Sequence, residues 1–266
     1  MAKKAAYKVL LSFDVEEFDM PLEYGHTIPV AEQMEVGKRG LDATLQVLAQ
    51  HPAVKATMFT TAHFADHYPD VVKNMAQQHE IASHTYYHTA FEEEHLRTSR
   101  ERLEAISGVP VTGLRMPRMR PISMHAVKSA GYAYDSSINP TWLPGRYNNT
   151  HLPRTPYVEQ DMLRIPASVT PTFRVPLFWL SFKNFPWWFF KTCVASTLAK
   201  DGYVCLYFHP WEFTDLSHYK QPAYTRKPCG EQLQERLHIM LQWLSTIGTY
   251  QTIHDFLQAK QQWPRR

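Results

Sequence analysis

The chain has 266 residues, 44% of them hydrophobic and 20% charged, which is the composition of a globular protein with a sizeable core. Its formal net charge of +3 comes from scattered Lys and Arg, with no basic run beyond Lys3-Lys4, and this argues against nucleic acid as the main partner. The cysteines Cys193, Cys205 and Cys229 lack CxxC spacing, so they fit a reducing compartment and exclude a zinc knuckle.

No targeting segment is expected. The apolar run Val9-Leu10-Leu11 is too short for the core of a secretory signal, and no uninterrupted apolar stretch approaches about 18 residues. We therefore expect a cytoplasmic protein.

Strand-like and helix-like patterns alternate along the chain. In order, they predict strand 7–13, loop 20–29, helix 41–48, strand 55–60, helix 65–78 with Pro69 in its first turn, strand 80–83 and helix 92–106. They then predict strand 111–114, helix 123–130, strand 132–134, loop 139–156, strand 162–166, strand 203–208, helix 231–244, edge strand 249–250 and helix 253–260. This alternation, without a break in composition, predicts one α/β domain over residues 1–266, with a mostly parallel sheet that also suits a barrel.

Reactive side chains follow the predicted strands. In α/β folds the functional groups lie at the carboxyl ends of the strands. Here those positions hold Asp14, His84, Arg115, Asp135 and His209. Five such coincidences predict a site at that edge of the sheet.

His84 and His88 have a spacing that places two imidazoles on one side of a turn, where a divalent metal needs one further ligand. The acidic run 14–17 is the expected donor of that ligand. His63 and His67 share the spacing but fall in an amphipathic helix beside acids, which is typical of a solvated face. The spacing alone is therefore a weak signal.

Four motifs together carry a resemblance to a known family: Phe13-Asp14-Val15-Glu16-Glu17, His84-Thr85-x-x-His88, Arg115-Met116-Pro117 and His209-Pro210-Trp211-Glu212-Phe213. Their order and spacing resemble those of the polysaccharide deacetylases, the NodB-homology family of carbohydrate esterases (family 4), in a branch with a DVE-type first motif and an HPWEF last motif. The resemblance runs from Tyr7 to Leu257. It implies a distorted (β/α) barrel of about seven parallel strands. It also implies a hydrolase that removes an N-acyl group, expected to be acetyl, from a sugar or glycan intermediate.

The resemblance also implies roles. His84, His88 and an acid would bind a divalent metal, with zinc expected and cobalt, nickel or manganese as alternatives. Asp14 would be the general base, and Arg115 would pair with it and hold it ionised. His209 would protonate the leaving amine.

The first motif departs from the family pattern, in which two adjacent aspartates are usual, because Val15 takes the second place. Alternation along an extended strand places Glu16 on the same side as Asp14 and Glu17 on the other. Glu16 is therefore the expected third ligand and Glu17 the alternative.

Other positions keep two interpretations each. Arg118 and Arg120 would bind an acidic sugar, or the phosphate of a nucleotide- or lipid-linked one, or they are solvated loop residues. Asp135 would orient His209 or cap a turn. Pro117, Trp211 and Glu212 are also expected to contact substrate, with Trp211 as a stacking surface. Thr85 would contact substrate as well, or it would position the two histidines.

The stretch 173–190 is rich in aromatic residues. These residues would either pack in the core or line an acceptor cleft. Alternatively, they would anchor the protein peripherally at the inner membrane face, where Lys183 and Lys191 would contact anionic headgroups.

Two other functions remain open. One is an allantoinase-like amidohydrolase of small C–N substrates. The other is a non-catalytic carbohydrate-binding relative, against which the retained Asp14, Arg115, His209 and histidine pair argue.

Overall fold

The structure is a computed structural model that describes residues 7–259. Its strands are β1 Tyr7–Val15, β2 Ala56–Thr60, β3 Glu80–Ser83, β4 Gly113–Leu114, β5 Tyr134–Asp135, β6 Trp142–Leu143, β7 Tyr147–Asn148, β8 Tyr157–Glu159, β9 Met162–Arg164, β10 Tyr203–Phe208 and β11 Gly248–Tyr250. Its helices are α1 Val30–Ala49, α2 Ala62–His67, α3 Pro69–Met75, α4 Glu94–Ser107, α5 Met124–Ser129, α6 Trp179–Asn184, α7 Trp187–Asp201, α8 Ala223–Arg226, α9 Glu231–Ile247 and α10 Ile253–Ala259. The predicted end of the last helix at Lys260, like residues 1–6, lies outside the described residues.

The main sheet follows the order β10-β1-β2-β3-β4-β5-β9-β8. Each pair from β10 to β9 is parallel, and β8 joins β9 as an antiparallel hairpin. The segment after β9 returns to β10, where the Ser168 amide donates to the Cys205 carbonyl at 2.9 Å. The sheet therefore curls into a half-barrel, and the predicted distorted (β/α) barrel is confirmed.

The predicted helix 65–78 is wrong as one element. It is two helices, α2 and α3, separated at Tyr68, whose backbone angles are φ −130° and ψ 56°. Pro69 disfavours helical geometry in the residue before it and is itself suited to the first position of a new helix.

Helix α1 begins at Val30, well before the predicted start at residue 41, because the helical segment continues back to Pro29. Other differences lie in the long connections. The predicted loop 139–156 contains the small hairpin β6–β7, and β8 was not predicted. Strand β11 pairs in parallel with the start of β1 and with no other described strand, so the predicted edge strand 249–250 is confirmed. The aromatic stretch forms α6 and the first turns of α7.

Helix α1 packs closely on the loops that follow β1 and β10. A Cβ atom on Gly37 would lie 2.4 Å from the Glu16 carbonyl oxygen, and one on Gly40 would lie 2.3 Å from that of Pro210. Only glycine permits this approach, so α1 fixes two of the loops at the carboxyl edge of the sheet.

Candidate active site

The carboxyl ends of five neighbouring strands, β10, β1, β2, β3 and β4, meet at one edge of the sheet. His209 follows β10, Asp14 lies near the end of β1, His84 follows β3 and Arg115 follows β4. Parallel register brings these four positions together, as expected from their places at strand ends.

Glu16, His84 and His88 form a buried cluster. Their potential ligand atoms lie within 4.8 Å of one another. The Oε2 atom of Glu16 is 3.0 Å from Nε2 of His84 and 3.2 Å from Nε2 of His88. The indole N–H of Trp211 donates to the other Glu16 oxygen at 3.0 Å and fixes the carboxylate.

The second nitrogen of each histidine is already engaged. His84 Nδ1 lies 2.8 Å from the backbone carbonyl of Arg115, and His88 Nδ1 lies 2.7 Å from Oδ2 of Asp19. A histidine ligand to a metal usually donates its other N–H to a carbonyl or carboxylate in this way. Both Nε2 atoms consequently face the Glu16 carboxylate.

The donor set fits a divalent metal. Glu16 Oε2 is buried and has no hydrogen-bond partner among the described residues. Burial lowers the pKa of His88, but the carboxylates of Glu16 and Asp19 outweigh this and raise it to about 9. The negative charge that attracts a proton to His88 would equally attract a cation, and one carboxylate with two imidazoles is a common zinc ligand set.

Glu17 points away from this cluster. It accepts hydrogen bonds from the His88 amide at 2.9 Å and from the Thr61 hydroxyl at 2.8 Å, so it holds the loop that carries His88. His63 Nδ1 lies 3.5 Å from Glu17, while His67 is exposed with its Nδ1 on the His63 carbonyl. The pair His63 and His67 therefore does not take part in the cluster.

Asp14 and Arg115 form a buried ion pair in which Nη1 lies 2.7 Å from Oδ1. The guanidinium also donates to the side chains of Ser12 and Ser136 and lies over the ring of Phe59. Burial raises the pKa of Asp14, but the charges of Arg115 and the nearby histidines bring it below its ordinary value.

His209 lies between two indoles and two acids. Its ring stacks on Trp211 and meets Trp179 edge to face. Nε2 is 3.9 Å from Oδ2 of Asp14, and Nδ1 is 3.4 Å from Oε1 of Glu212. Burial lowers the pKa of His209, but these carboxylates and that of Glu16 raise it above its ordinary value.

Glu212 forms a buried ion pair with Lys183 on the side away from His209. The Lys183 ammonium lies 3.1 Å from Glu212 Oε2 and donates to the Thr225 carbonyl at 2.7 Å. Burial raises the pKa of Glu212, but Lys183 and His209 bring it below its ordinary value. A buried row of alternating charges, Lys183, Glu212 and His209, thus leads to the site.

The expectation that Asp135 orients His209 is wrong. Its carboxylate accepts hydrogen bonds from the backbone and hydroxyl of Ser137 and from Arg164 at 3.0 Å. These groups use both oxygens, so Asp135 caps the turn after β5, and Glu212 takes the place beside His209.

A cavity opens onto the cluster and is lined by Asp14, Glu16, His84, His88, Arg118 and His209, among others. Four residues expected to contact substrate do not line it. Thr85 is fully buried and donates to the Tyr87 carbonyl, so it shapes the loop between the histidines. Pro117 is buried at the start of a 3₁₀ turn, and Trp211 and Glu212 are buried around Glu16 and His209.

The loop arginines are not free cations. Arg118 lies 2.9 Å from Asp19 and 2.5 Å from Glu23, and it donates to the His88 carbonyl. Arg120 lies over the ring of Phe91. Arg118 lines the cavity but is already paired with two carboxylates, and its contact with an acidic substrate stays a prediction.

The aromatic stretch has mixed surroundings. Phe182 and Phe190 are core residues, whereas Phe178 and Trp179 line the cavity. Lys183 is buried, so its expected contact with lipid headgroups is wrong. Among the described helices, none combines the length and apolar character that crossing a membrane requires.

Among the charged residues that hold the site in place, sequence reasoning missed Asp19 and Lys183. The density of acids between positions 14 and 19 was the available signal for Asp19. No local pattern marks Lys183, because its partner Glu212 is distant in sequence and meets it only in the fold.

The family model of the polysaccharide deacetylases matches residues 8–134. The match contains the Glu16, His84 and His88 cluster together with Asp14 and Arg115, and it ends before His209. No curated protein sequence matches the chain significantly.

Solved structures share the fold over nearly the whole chain. PuuE allantoinase matches with a TM-score of 0.64 and 17% identity, covering 95% of this chain and 90% of that one. A protein from Mycobacterium smegmatis assigned to the polysaccharide deacetylases matches with a TM-score of 0.61 and 18% identity, covering 100% and 95%. A CE4 family pseudoenzyme from Bacillus anthracis matches with a TM-score of 0.51 and 14% identity, covering 95% and 66%.

These similarities complement one another, since the family model matches the first part of the chain by sequence and the solved structures extend the fold beyond it. Residues 8–134 are thus similar in sequence to the polysaccharide deacetylases, a family of hydrolases that act on C–N bonds of sugars, and the (β/α) fold shared with the solved structures continues through the rest of the described chain.

Proposed function

We propose that the chain is a metal-dependent N-deacylase that removes an acyl group, with acetyl as the simplest case, from an amino sugar. The observation that carries the proposal is the joint placement of a metal-binding cluster, an ionised carboxylate and a histidine with a raised pKa around one cavity. Hydrolysis of an unactivated amide requires a deprotonated base to activate water and a protonated acid to assist the leaving group.

Glu16, His84 and His88 would hold the ion. When bound there, a divalent metal polarises the amide carbonyl and makes water acidic enough to be activated near neutral pH. Zinc suits this donor set, and cobalt, nickel and manganese are alternatives.

The surroundings of Asp14 support its role as the general base. Arg115 occupies its Oδ1, while its Oδ2 faces His209 across 3.9 Å. Because its pKa is lowered, the carboxylate is ionised at neutral pH and can take a proton from the attacking water.

The surroundings of His209 support its role as the general acid. The Glu212 carboxylate raises the pKa of His209 and so favours the protonated ring, and the stacked Trp211 holds it in one orientation. It can therefore donate a proton to the departing amine nitrogen, which is otherwise a poor leaving group.

The fold similarity to an allantoinase gives a second candidate, hydrolysis of a small cyclic amide. The two are separated by incubating the zinc-reconstituted protein with N-acetylated sugars, their nucleotide- and lipid-linked forms, and allantoin. We expect acetate release from at least one amino sugar, and loss of that release in Glu16→Gln. Hydrolysis of allantoin without acetate release from any amino sugar would contradict the proposal.

A further inference from the structure

The lining of the active-site cavity has two chemically different parts. One part is the charged cluster of Asp14, Glu16, His84, His88 and His209. The other is largely apolar and aromatic, and includes Met20, Met119, Leu143, Pro144, Phe178 and Leu180. An amide anchored at the cluster would place its neighbouring group against these side chains.

Several polar groups in this second part already have partners within the protein, and the tyrosines of the lining present ring faces as well as hydroxyls. Glu23 pairs with both Arg118 and Arg146, and the Thr225 hydroxyl donates to the Pro222 carbonyl. The lining contains no Asn or Gln, the amides that commonly bind sugar hydroxyls. Aromatic rings can stack on a sugar ring, but Met20, Leu143 and Leu180 offer only apolar contact.

Three exposed apolar side chains lie in the chain segments that also supply residues of the cavity lining. Leu22 is 39% exposed, Trp142 64% and Tyr224 52%. Leu22 precedes Glu23 in the chain, Trp142 precedes Leu143, and Tyr224 itself lines the cavity. Exposed apolar side chains beside an apolar cavity are characteristic of a site for an apolar ligand.

We infer that the substrate carries a hydrocarbon group beside the scissile amide, so that the enzyme prefers an amphiphilic amino sugar to a polar glycan. This inference rests on the proposed function. The hydrocarbon can be a longer N-acyl chain or an alkyl group on the anomeric oxygen, and both would bury methylene groups against the same wall.

The test compares two matched substrate series. One keeps the N-acetyl group and extends the glycoside from methyl to octyl, and the other keeps the methyl glycoside and extends the acyl group from acetyl to hexanoyl. Each buried methylene favours binding by roughly fourfold, so we expect kcat/KM to rise by about tenfold or more along at least one series. The series that responds identifies the position of the hydrocarbon, and a flat or falling kcat/KM in both would overturn the inference while leaving deacylation itself intact.

A binding measurement makes the test independent of turnover. Calorimetry with the Asp14→Asn variant should show tighter binding of octyl than of methyl N-acetylglucosaminide by about tenfold. Equal affinities would overturn the inference even if no substrate were hydrolysed. Leu143→Asn should reduce the octyl-to-methyl affinity ratio, whereas Val158→Asn, which changes an exposed residue outside the cavity lining, should leave that ratio unchanged.

Discussion

Asp14 is the residue whose side chain is most directly suited to move a proton. Arg115 holds one of its oxygens, and the other remains available beside His209. A carboxamide in its place would retain the size of the side chain but could not accept the proton of a water molecule.

We therefore expect Asp14→Asn to retain the metal and to lower kcat by about 10²–10⁴-fold. Metal analysis and acetate release on the same preparation would check this. An Asn variant with wild-type turnover would remove Asp14 from the role of base.

Glu212 gives the site a pH-dependent contribution to stability. Its pKa lies below the ordinary value of 4.5 because Lys183 and His209 outweigh its burial, so the folded state favours the carboxylate. The contribution is fully present above the unfolded pKa and is lost as the pH falls through the folded pKa.

The prediction concerns the difference in unfolding free energy between wild type and Glu212→Gln. We expect the wild type to be more stable near pH 5, where His209 is also charged, and the difference to shrink as the pH falls further. Denaturant titrations across pH would measure it. A difference that stays constant or grows down to about pH 3 would show that Glu212 is not held as a carboxylate.

At the scale of secondary structure, α1 determines how closely two site loops approach each other. Gly37 meets the loop that carries Glu16, and Gly40 meets the segment that carries His209 and Trp211. The Trp211 indole in turn donates to Glu16, so the two loops are linked through one hydrogen bond.

Gly40→Ala would place a methyl group within 2.5 Å of the Trp211 Cα atom. We expect it to destabilise the fold by about 1–3 kcal/mol and to lower deacylation, because the loop must move and Trp211 with it. Thermal unfolding and kcat/KM would check both effects. Gln46→Ala, an exposed change on the same helix, is the control, and a Gly40→Ala variant matching that control would refute the packing argument.

The strands of the first half follow from local patterns. The residues of β3 and the histidine pair after it are adjacent in sequence, so alternation and spacing place them together. The break at Tyr68 depends on the effect of Pro69 on the preceding backbone, and a helical hydrophobic period continues through it. The two-residue strands β6 and β7 lie in a segment where prolines and asparagines suggest a loop.

At the scale of the whole molecule, the parallel sheet explains why strand-end residues predicted the site. Neighbouring parallel strands bring their ends to one edge, so Asp14, His84, Arg115 and His209 converge without further information. The prediction of which side chains contact one another within the site was wrong in part. Asp135 was expected beside His209, but Arg164 and Ser137 engage it, and Glu212 with Lys183 occupies that place.

Partners of this kind depend on how distant segments meet, which no local pattern contains. Lys183 illustrates the point, because a lysine among aromatic residues suggested a membrane anchor and is instead a buried counter-ion. Trp211 likewise suggested a sugar platform and instead supports Glu16 and His209.

The central claim is that Glu16, His84 and His88 hold a metal on which deacylation depends. The most direct measurement is metal content together with acetate release for wild type, His84→Ala and His67→Ala, the last an exposed histidine of the second pair with the same spacing. We expect about one metal ion per chain and full activity in wild type and His67→Ala, and loss of both in a folded His84→Ala variant. Wild-type metal content and turnover in His84→Ala would contradict the account.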